Sequence, residues 1–347
     1  MMYDAIYPGR PWLDTDGKRI QAHGGSVIYI EGTYYWYGEN KDKTDGKYGI
    51  WHWGVRCYSS KDLYNWKDEG LIIPPEPDNP DSSLHPSACM DRPHIIYNHK
   101  TEKYVCWLKI MSRTGVQCET VLTAAQNLGP YTKVKEGLRP LGMSAGDFDL
   151  AVAEDGKGYY FFERVHSEMI CADLTEDYTD VTGYYSTHMP QPCPPYVREA
   201  PAHFVRKGKH YLVTSGTTGY YPNPSLVSIA DTWHGPYISL GNPHPGDKTN
   251  TSYHSQISCI FKVEGKKDLY IACADRWVPT EMHRKYEVYR EMYERYFVEH
   301  DESVLNEREL STNEDTSIAD YVWLPFRFDG NMAYLDWKDE WRIEDYE

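Results

Sequence analysis

The chain has 347 residues and a formal net charge of −16, long enough for two or three ordinary domains or one large all-β unit. That charge argues against a nucleic-acid backbone or an anionic membrane surface as partner, because either repels it, and leaves a neutral or cationic ligand open. The 31 tyrosines, 11 tryptophans, 26 glycines and 22 prolines are spread along the chain and favour strands and turns over helices.

The first residues, "MMYDAIYPGRPWLD", lack the charged start and apolar segment of an export signal, and no window reaches the length of a membrane span, so a cytoplasmic protein is expected. From 26 to 39, "SVIYIEGTYYWYGE" reads as a β-hairpin: an apolar run, a turn at Glu31-Gly32-Thr33, then an aromatic run ending in Glu39. The pattern recurs in "RPHIIYNHKTEKYVCWLKI", "DLAVAEDGKGYYFFER", "PAHFVRKGKHYLVTSG" and "ISCIFKVEGKKDLYIACADRW". Tyr35, Tyr104, Tyr160, Tyr211 and Tyr270 mark the five units, 69, 56, 51 and 59 residues apart.

Most hairpins are followed by two more strand-like segments, as in "GVRCYSSKDLYNWKDEGLII" and "PSLVSIADTWHGPYISLG". Five units of about four strands predict an all-β fold, a five-bladed β-propeller in one catalytic domain over 1–347. One segment breaks the pattern. Over 279–300, Met282, Tyr286, Tyr289, Tyr293 and Tyr296 or Phe297 fall at helical spacing, with Thr280 as N-cap. The expectation is an inserted helix near 280–300 packed on the flank, with a substrate rim or dimer contact as the sharper alternative. The acidic stretch over 299–315 reads as a solvated loop, and "DYVWLPFRFDGNMAYLDWKDEW" as the last hairpin. Eight cysteines without CxxC pairing read as free thiols.

In a propeller the innermost strand of each blade faces the channel, so the polar residues opening the five hairpins converge. They are Gln21 and His23, Asp91 with Arg92, Asp147 with Asp149, Glu199, and His254-Ser255-Gln256. Carboxylates at that place in three successive units are hard to explain by packing, since a buried carboxylate is costly unless paired or used. The plainer alternative pairs each with a neighbouring arginine, Arg92 or Arg198. Two carboxyl groups in a channel lined with tyrosine and tryptophan suit glycoside hydrolysis, one protonating the leaving oxygen while a base activates water.

On "YYWYGE", "DRPHIIYN", "REAPAHFVRKGKHYLVTSGTTGY", "SYHSQIS" and "YVWLPFRFDG", taken in order along nearly the whole chain, the sequence resembles glycoside hydrolase family 43, five-bladed inverting glycosidases, and within it the exo-β-1,3-galactanase branch. The resemblance implies Glu199 as general acid and Asp147 as the residue that tunes and orients it. It implies Glu39, Asp91, Thr217 and Tyr220 as sugar contacts, with His23 a further candidate. The family's usual aspartate base before the first strand is absent, replaced by Gln21, Ala22, His23 and two glycines. The branch uses a fifth-blade glutamine instead, matched here by Gln256, either as an imidic-acid base or by positioning water.

Three features depart from the branch: Asp91 replaces a glutamate; the stretch 109–121 and the residues around His166 do not match its substrate contacts; and the expected lack of an export signal and of a carbohydrate-binding module points to imported oligosaccharides rather than polymer outside the cell. The expected activity is release of a terminal sugar, most of all β-1,3-linked galactose, from an oligosaccharide, with arabinofuranose or xylose cleavage and a non-catalytic sugar-binding protein as alternatives. No cofactor or metal is expected. His23, His94, His203 and His254 offer no ligand spacing, and homo-oligomerisation stays open.

Overall fold

The computed structural model describes residues 2–46, 49–111, 115–306 and 314–347. Five four-stranded antiparallel sheets follow one another, each an uninterrupted meander in sequence order. Blade one holds β1 (His23–Ile30), β2 (Thr33–Glu39), β3 (Val55–Ser60) and β4 (Lys67–Ile73). Blade two holds β5 (Cys89–Asn98), β6 (Lys103–Met111), β7 (Gln117–Ala124) and β8 (Thr132–Leu138). Blade three holds β9 (Ala145–Val152), β10 (Gly158–Arg164), β11 (Glu168–Leu174) and β12 (Val181–His188). Blade four holds β13 (Arg198–Arg206), β14 (Lys209–Gly216), β15 (Leu226–Ala230) and β16 (Ile238–Gly241). Blade five holds β17 (Gln256–Lys262), β18 (Tyr270–Arg276), β19 (Asp320–Asp329) and β20 (Met332–Leu335).

The opening strands β1, β5, β9, β13 and β17 pack on one another in a closed ring around the axis, the five-bladed propeller that the repeat predicts. Local chemistry makes the hairpins. Glu31-Gly32 and Lys207-Gly208 each form a two-residue loop with both φ values positive, 46° and 86° in the first, 51° and 73° in the second. Such loops match the right-handed twist of the strands they join. Along β2, Tyr34 and Trp36 point to the core at the two-residue period of a strand.

Among the described residues, no strand is swapped to close the ring. Blade one packs on blade five through tryptophans, with Trp323 lying 4.6 Å from Trp36, 5.2 Å from Trp12 and 5.9 Å from Trp66 between ring centroids. The N-terminal segment ties this seam to the C-terminal one, Ile6 and Trp341 exchanging backbone hydrogen bonds of 2.9 and 3.1 Å.

The inserted helix, α1 (Tyr286–Phe297), is shorter than expected. Thr280 lies in a separate 3-10 turn (Pro279–Glu281), and the residue before α1 is Lys285, whose side chain makes no cap. The helix therefore begins five positions later than Thr280 as N-cap would place it. The helix buries Tyr289 and Met292 and turns its C-terminal aromatics to the propeller's central cavity rather than merely lying on a flank. Of the acidic stretch expected as a loop, 307–313 lies outside the described residues, and Glu302–Asn306 forms a 3-10 turn. All eight cysteines are free.

Candidate active site

Every opening strand slips its register near its start. The irregularities fall between His23 and Ser26, Asp91 and His94, Glu199 and Ala202, Ile257 and Cys259, and on β9 opposite Phe162 to Arg164. Gly24, Arg92 and Ala200 sit at these points with φ of 59°, 51° and 48°. A bulge bends its strand and re-aims side chains; here it coincides with the residues that open each hairpin. Asp91, Asp147, Glu199 and Gln256 thus line one cavity of about 330 Å³, together with Glu39, Thr217 and Tyr220.

Two carboxyl groups of the cavity are pushed in opposite directions. Burial pushes the Glu199 carboxyl well above the usual carboxylate range, and the charges of Asp147 and Glu163 add to the effect. Burial also acts to raise Asp147, but Lys109 and Arg92 outweigh it and hold this group below its ordinary value. The Lys109 ammonium lies 2.8 Å from Asp147 and 3.1 Å from Asp91. Burial disfavours that cation, yet the two aspartates together raise its pKa well above normal. A carboxyl pushed up beside one held down is the kind of split that assigns an acid among neighbouring carboxyls.

Gln256 is oriented by its neighbours. Its Oε1 accepts from the Trp277 indole N–H at 3.2 Å, and its Nε2 donates to Ser215 Oγ at 2.9 Å and to Glu199 Oε1 at 3.3 Å. An indole nitrogen can only donate, so the amide oxygen must face Trp277. That oxygen keeps a second lone pair for a water, while both amide hydrogens are engaged.

On the opposite side, Glu39 is 1% exposed. Burial first, then the Asp91 charge, push its carboxyl up to about 7 against the pull of Lys41. The Lys41 ammonium, itself fully buried, lies 2.7 Å from Glu39 and donates to the Trp51 carbonyl at 2.8 Å. It also lies 4.9 Å from the Trp51 ring centre. Trp51 stacks on Tyr220 at 5.6 Å, Tyr220 meets Trp277 at 5.0 Å, and the Trp51 indole N–H donates to Asp91 at 2.7 Å. The result is an aromatic platform beside two carboxyl groups, suited to the apolar face and hydroxyls of a sugar. The Thr217 hydroxyl donates to the Val197 carbonyl at 3.0 Å, which leaves its lone pairs toward the cavity.

His23 is not in the cavity, contrary to the sequence expectation. It is 0% exposed, with Nδ1 2.9 Å from Asp275, Nε2 3.2 Å from Gln21, and its ring stacked on Tyr321 at 4.8 Å. The bulge at Gly24 turns β1 away there, so His23 braces blade one against blade five. Asp149 lies deeper in the channel, bonded to His94 at 2.9 Å and to the His203 backbone N–H at 2.7 Å. Pairing with arginine does not account for the cavity carboxyls. Arg198 bonds to Thr214 and to the Pro224 carbonyl, while Arg92 spans the carbonyls of Phe148, Pro201 and Ser258 and comes only within 3.9 Å of Asp147. Among the described residues, no three His, Cys, Asp or Glu side chains are placed to hold a metal ion.

Sequence reasoning missed Lys41, Trp51, Lys109 and Trp277. Lys109 carried a signal, a lone charge in the apolar run "YVCWLKI"; Trp51 and Trp277 carried none beyond being tryptophans. His166, Lys109 and Gln117, from the stretches that depart from the branch, also line the cavity; within 109–121, residues 112–114 lie outside the described residues.

No curated protein matches the chain, but solved structures do. A GH43 β-1,3-galactosidase, BT0265, is 30% identical with a TM-score of 0.79, and the alignment covers 99% of this chain and 64% of that one. A second GH43 β-1,3-galactosidase, BT3683 with galactodeoxynojirimycin, is 27% identical with a TM-score of 0.78, covering 97% of this chain and all of that one. The exo-β-1,3-galactanase of Phanerochaete chrysosporium with galactose is 25% identical with a TM-score of 0.75, covering 98% and 68%. The model of the glycosyl hydrolases family 43 matches residues 19–291. With that match over most of its length, and a five-bladed fold that aligns with these solved structures over nearly the whole chain, the chain belongs to the glycosyl hydrolases family 43.

Proposed function

We propose that the protein is an inverting exo-glycosidase that releases a terminal β-1,3-linked galactose from an oligosaccharide. The single observation that carries this is the pair of unlike carboxyl groups in one cavity, Glu199 pushed well above the usual carboxylate range by burial and Asp147 held below its ordinary value, against burial, by Lys109 and Arg92. The β-1,3-galactosidases and exo-β-1,3-galactanases it is similar to support the sugar and the linkage.

Glu199 gives its proton to the glycosidic oxygen as the bond from that oxygen to C1 breaks, and a water attacks C1 from the opposite face. The second lone pair of Gln256 Oε1 orients this water. The proton the water releases passes through solvent and restores Glu199, so the cycle balances. Glu39, Asp91 and the Trp51–Tyr220 platform hold the galactose whose C1 is attacked. Without substrate, Gln256 touches Glu199 at 3.3 Å, a gap too small for a sugar ring and a water. Substrate entry therefore breaks that bond, while Ser215 and Trp277 keep the amide in place.

Proton NMR of the first anomer released tests the stereochemistry: α-galactose is expected, and β-galactose sinks the mechanism. Glu199→Gln is expected to lose on the order of a hundredfold or more in kcat/KM; unchanged turnover removes Glu199 as the acid. The eight free thiols support a cytoplasmic site of action, which fractionation of the source cells checks; recovery in the exported fraction overturns it.

A further inference from the structure

Blade five does not need α1. Arg276 at the end of β18 pairs directly with Asp320 at the start of β19, so the sheet is complete without the segment between them. That segment is nevertheless firmly seated. The Tyr286 N–H donates to the Thr249 carbonyl at 3.0 Å, Tyr289 stacks on Tyr221 at 4.8 Å and 9°, and the Tyr196 hydroxyl donates to Glu294. Tyr196 stands three residues before Glu199, so α1 is fastened over blade four beside the proposed acid. Its far end reaches blade three, where Phe297 meets His166 edge-on at 5.3 Å.

This seating gives the exposed side of α1 a definite place. Tyr293, Tyr296 and Phe297 line the same cavity as Glu199, and the rings of Tyr293 and Phe297 lie nearly parallel at 6.0 Å. Burial, with the nearby Glu199 carboxyl adding to it, raises the Tyr293 hydroxyl, so it stands as a neutral phenol. The aromatic platform of Trp51 and Tyr220 belongs to the Glu39 and Asp91 side. The cavity therefore has two aromatic surfaces, one with carboxyl groups to grip hydroxyls and one on the helix beside the acid. An acid must touch the leaving oxygen, and α1 is the aromatic surface beside that acid.

We propose that α1 forms a leaving-group subsite, in which Tyr293, Tyr296 and Phe297 bind a neutral ring, the pyranose or aryl group attached to the departing oxygen. The inference rests on the glycosidase reading above and extends it to the other half of the substrate. Aromatic faces hold rings by their C–H surfaces, and the α1 residues that line the cavity, Tyr293, Tyr296 and Phe297, are all aromatic, so a neutral ring is the leaving group they fit.

The test compares β-1,3-galactobiose, whose leaving group is a sugar ring, with β-galactosyl fluoride, whose leaving group is a single atom. For Tyr296→Ala and Phe297→Ala, kcat/KM on the disaccharide is expected to fall about tenfold, while turnover of the fluoride stays within about twofold of the parent. Retained fluoride turnover also shows that each variant is folded. A matching loss on both substrates, or no loss on the disaccharide, overturns the subsite. If the unaltered protein turns over neither substrate, the galactosidase reading falls and takes the subsite with it, an outcome distinct from turnover without discrimination.

Discussion

Glu199 and Asp147 are the same kind of group in the same cavity, and only their neighbours separate them. Lys109 and Arg92 secure the charge on Asp147, and that charge in turn raises Glu199. The sign of one substitution follows. Asp147→Asn removes a negative charge beside Glu199, so the acid's pKa falls and protonated Glu199 is lost at lower pH. The alkaline limb of the pH profile of kcat/KM is expected to move down; an upward shift would show that Asp147 acts otherwise. Which residues open the hairpins was legible in the sequence, because Asp91, Asp147, Glu199 and Gln256 each fall within the first three residues of an opening strand. Their partners were not legible: Lys109 meets Asp147 across 38 positions, and Trp51 meets Asp91 across 40.

At the scale of elements, the bulged opening strands matter most. In blade one Gly38 faces the bulge so closely that a Cβ there would lie 2.2 Å from the Ala22 carbonyl carbon and 2.6 Å from the His23 nitrogen. Backbone cannot yield as the end of a flexible side chain can. Gly38→Ala is expected to destabilise the fold by about 2 kcal/mol and, by shifting neighbouring Glu39, to lower turnover as well. Denaturant melts and kcat/KM measure the two effects; an unaltered midpoint would mean that β1 and β2 separate at little cost. The sequence marked Gly38 only as a strand end, since the close approach arises from a bulge in the partner strand. It likewise gave the periodicity of α1 but not its seat, which depends on Tyr196 and Tyr221 from blade four.

Across the whole molecule, the ring closes by packing rather than by a shared strand, so its seam depends on the tryptophans between blades one and five. Trp323 is 1% exposed and meets Trp12, Trp36 and Trp66 there. Trp323→Ala is expected to cost about 3–5 kcal/mol, the usual range for emptying a large buried aromatic site, and to lower Tm accordingly. A loss below about 1 kcal/mol would place the closing energy elsewhere, in the backbone exchange of Ile6 with Trp341.

The sequence by itself determined the number of blades and the residues at the head of each opening strand. Both are written locally, in two-residue turns, in the two-residue alternation of strands, and in polar residues beside them. Only the tertiary structure decided that His23 is a brace and not a sugar contact, that Lys109 sits between two aspartates, that Trp277 fixes the amide of Gln256, and that α1 stands beside the acid. Burial and charge act through space over a few ångströms, and the groups that supply them come from different blades. No spacing along the chain records those distances until the ring is closed.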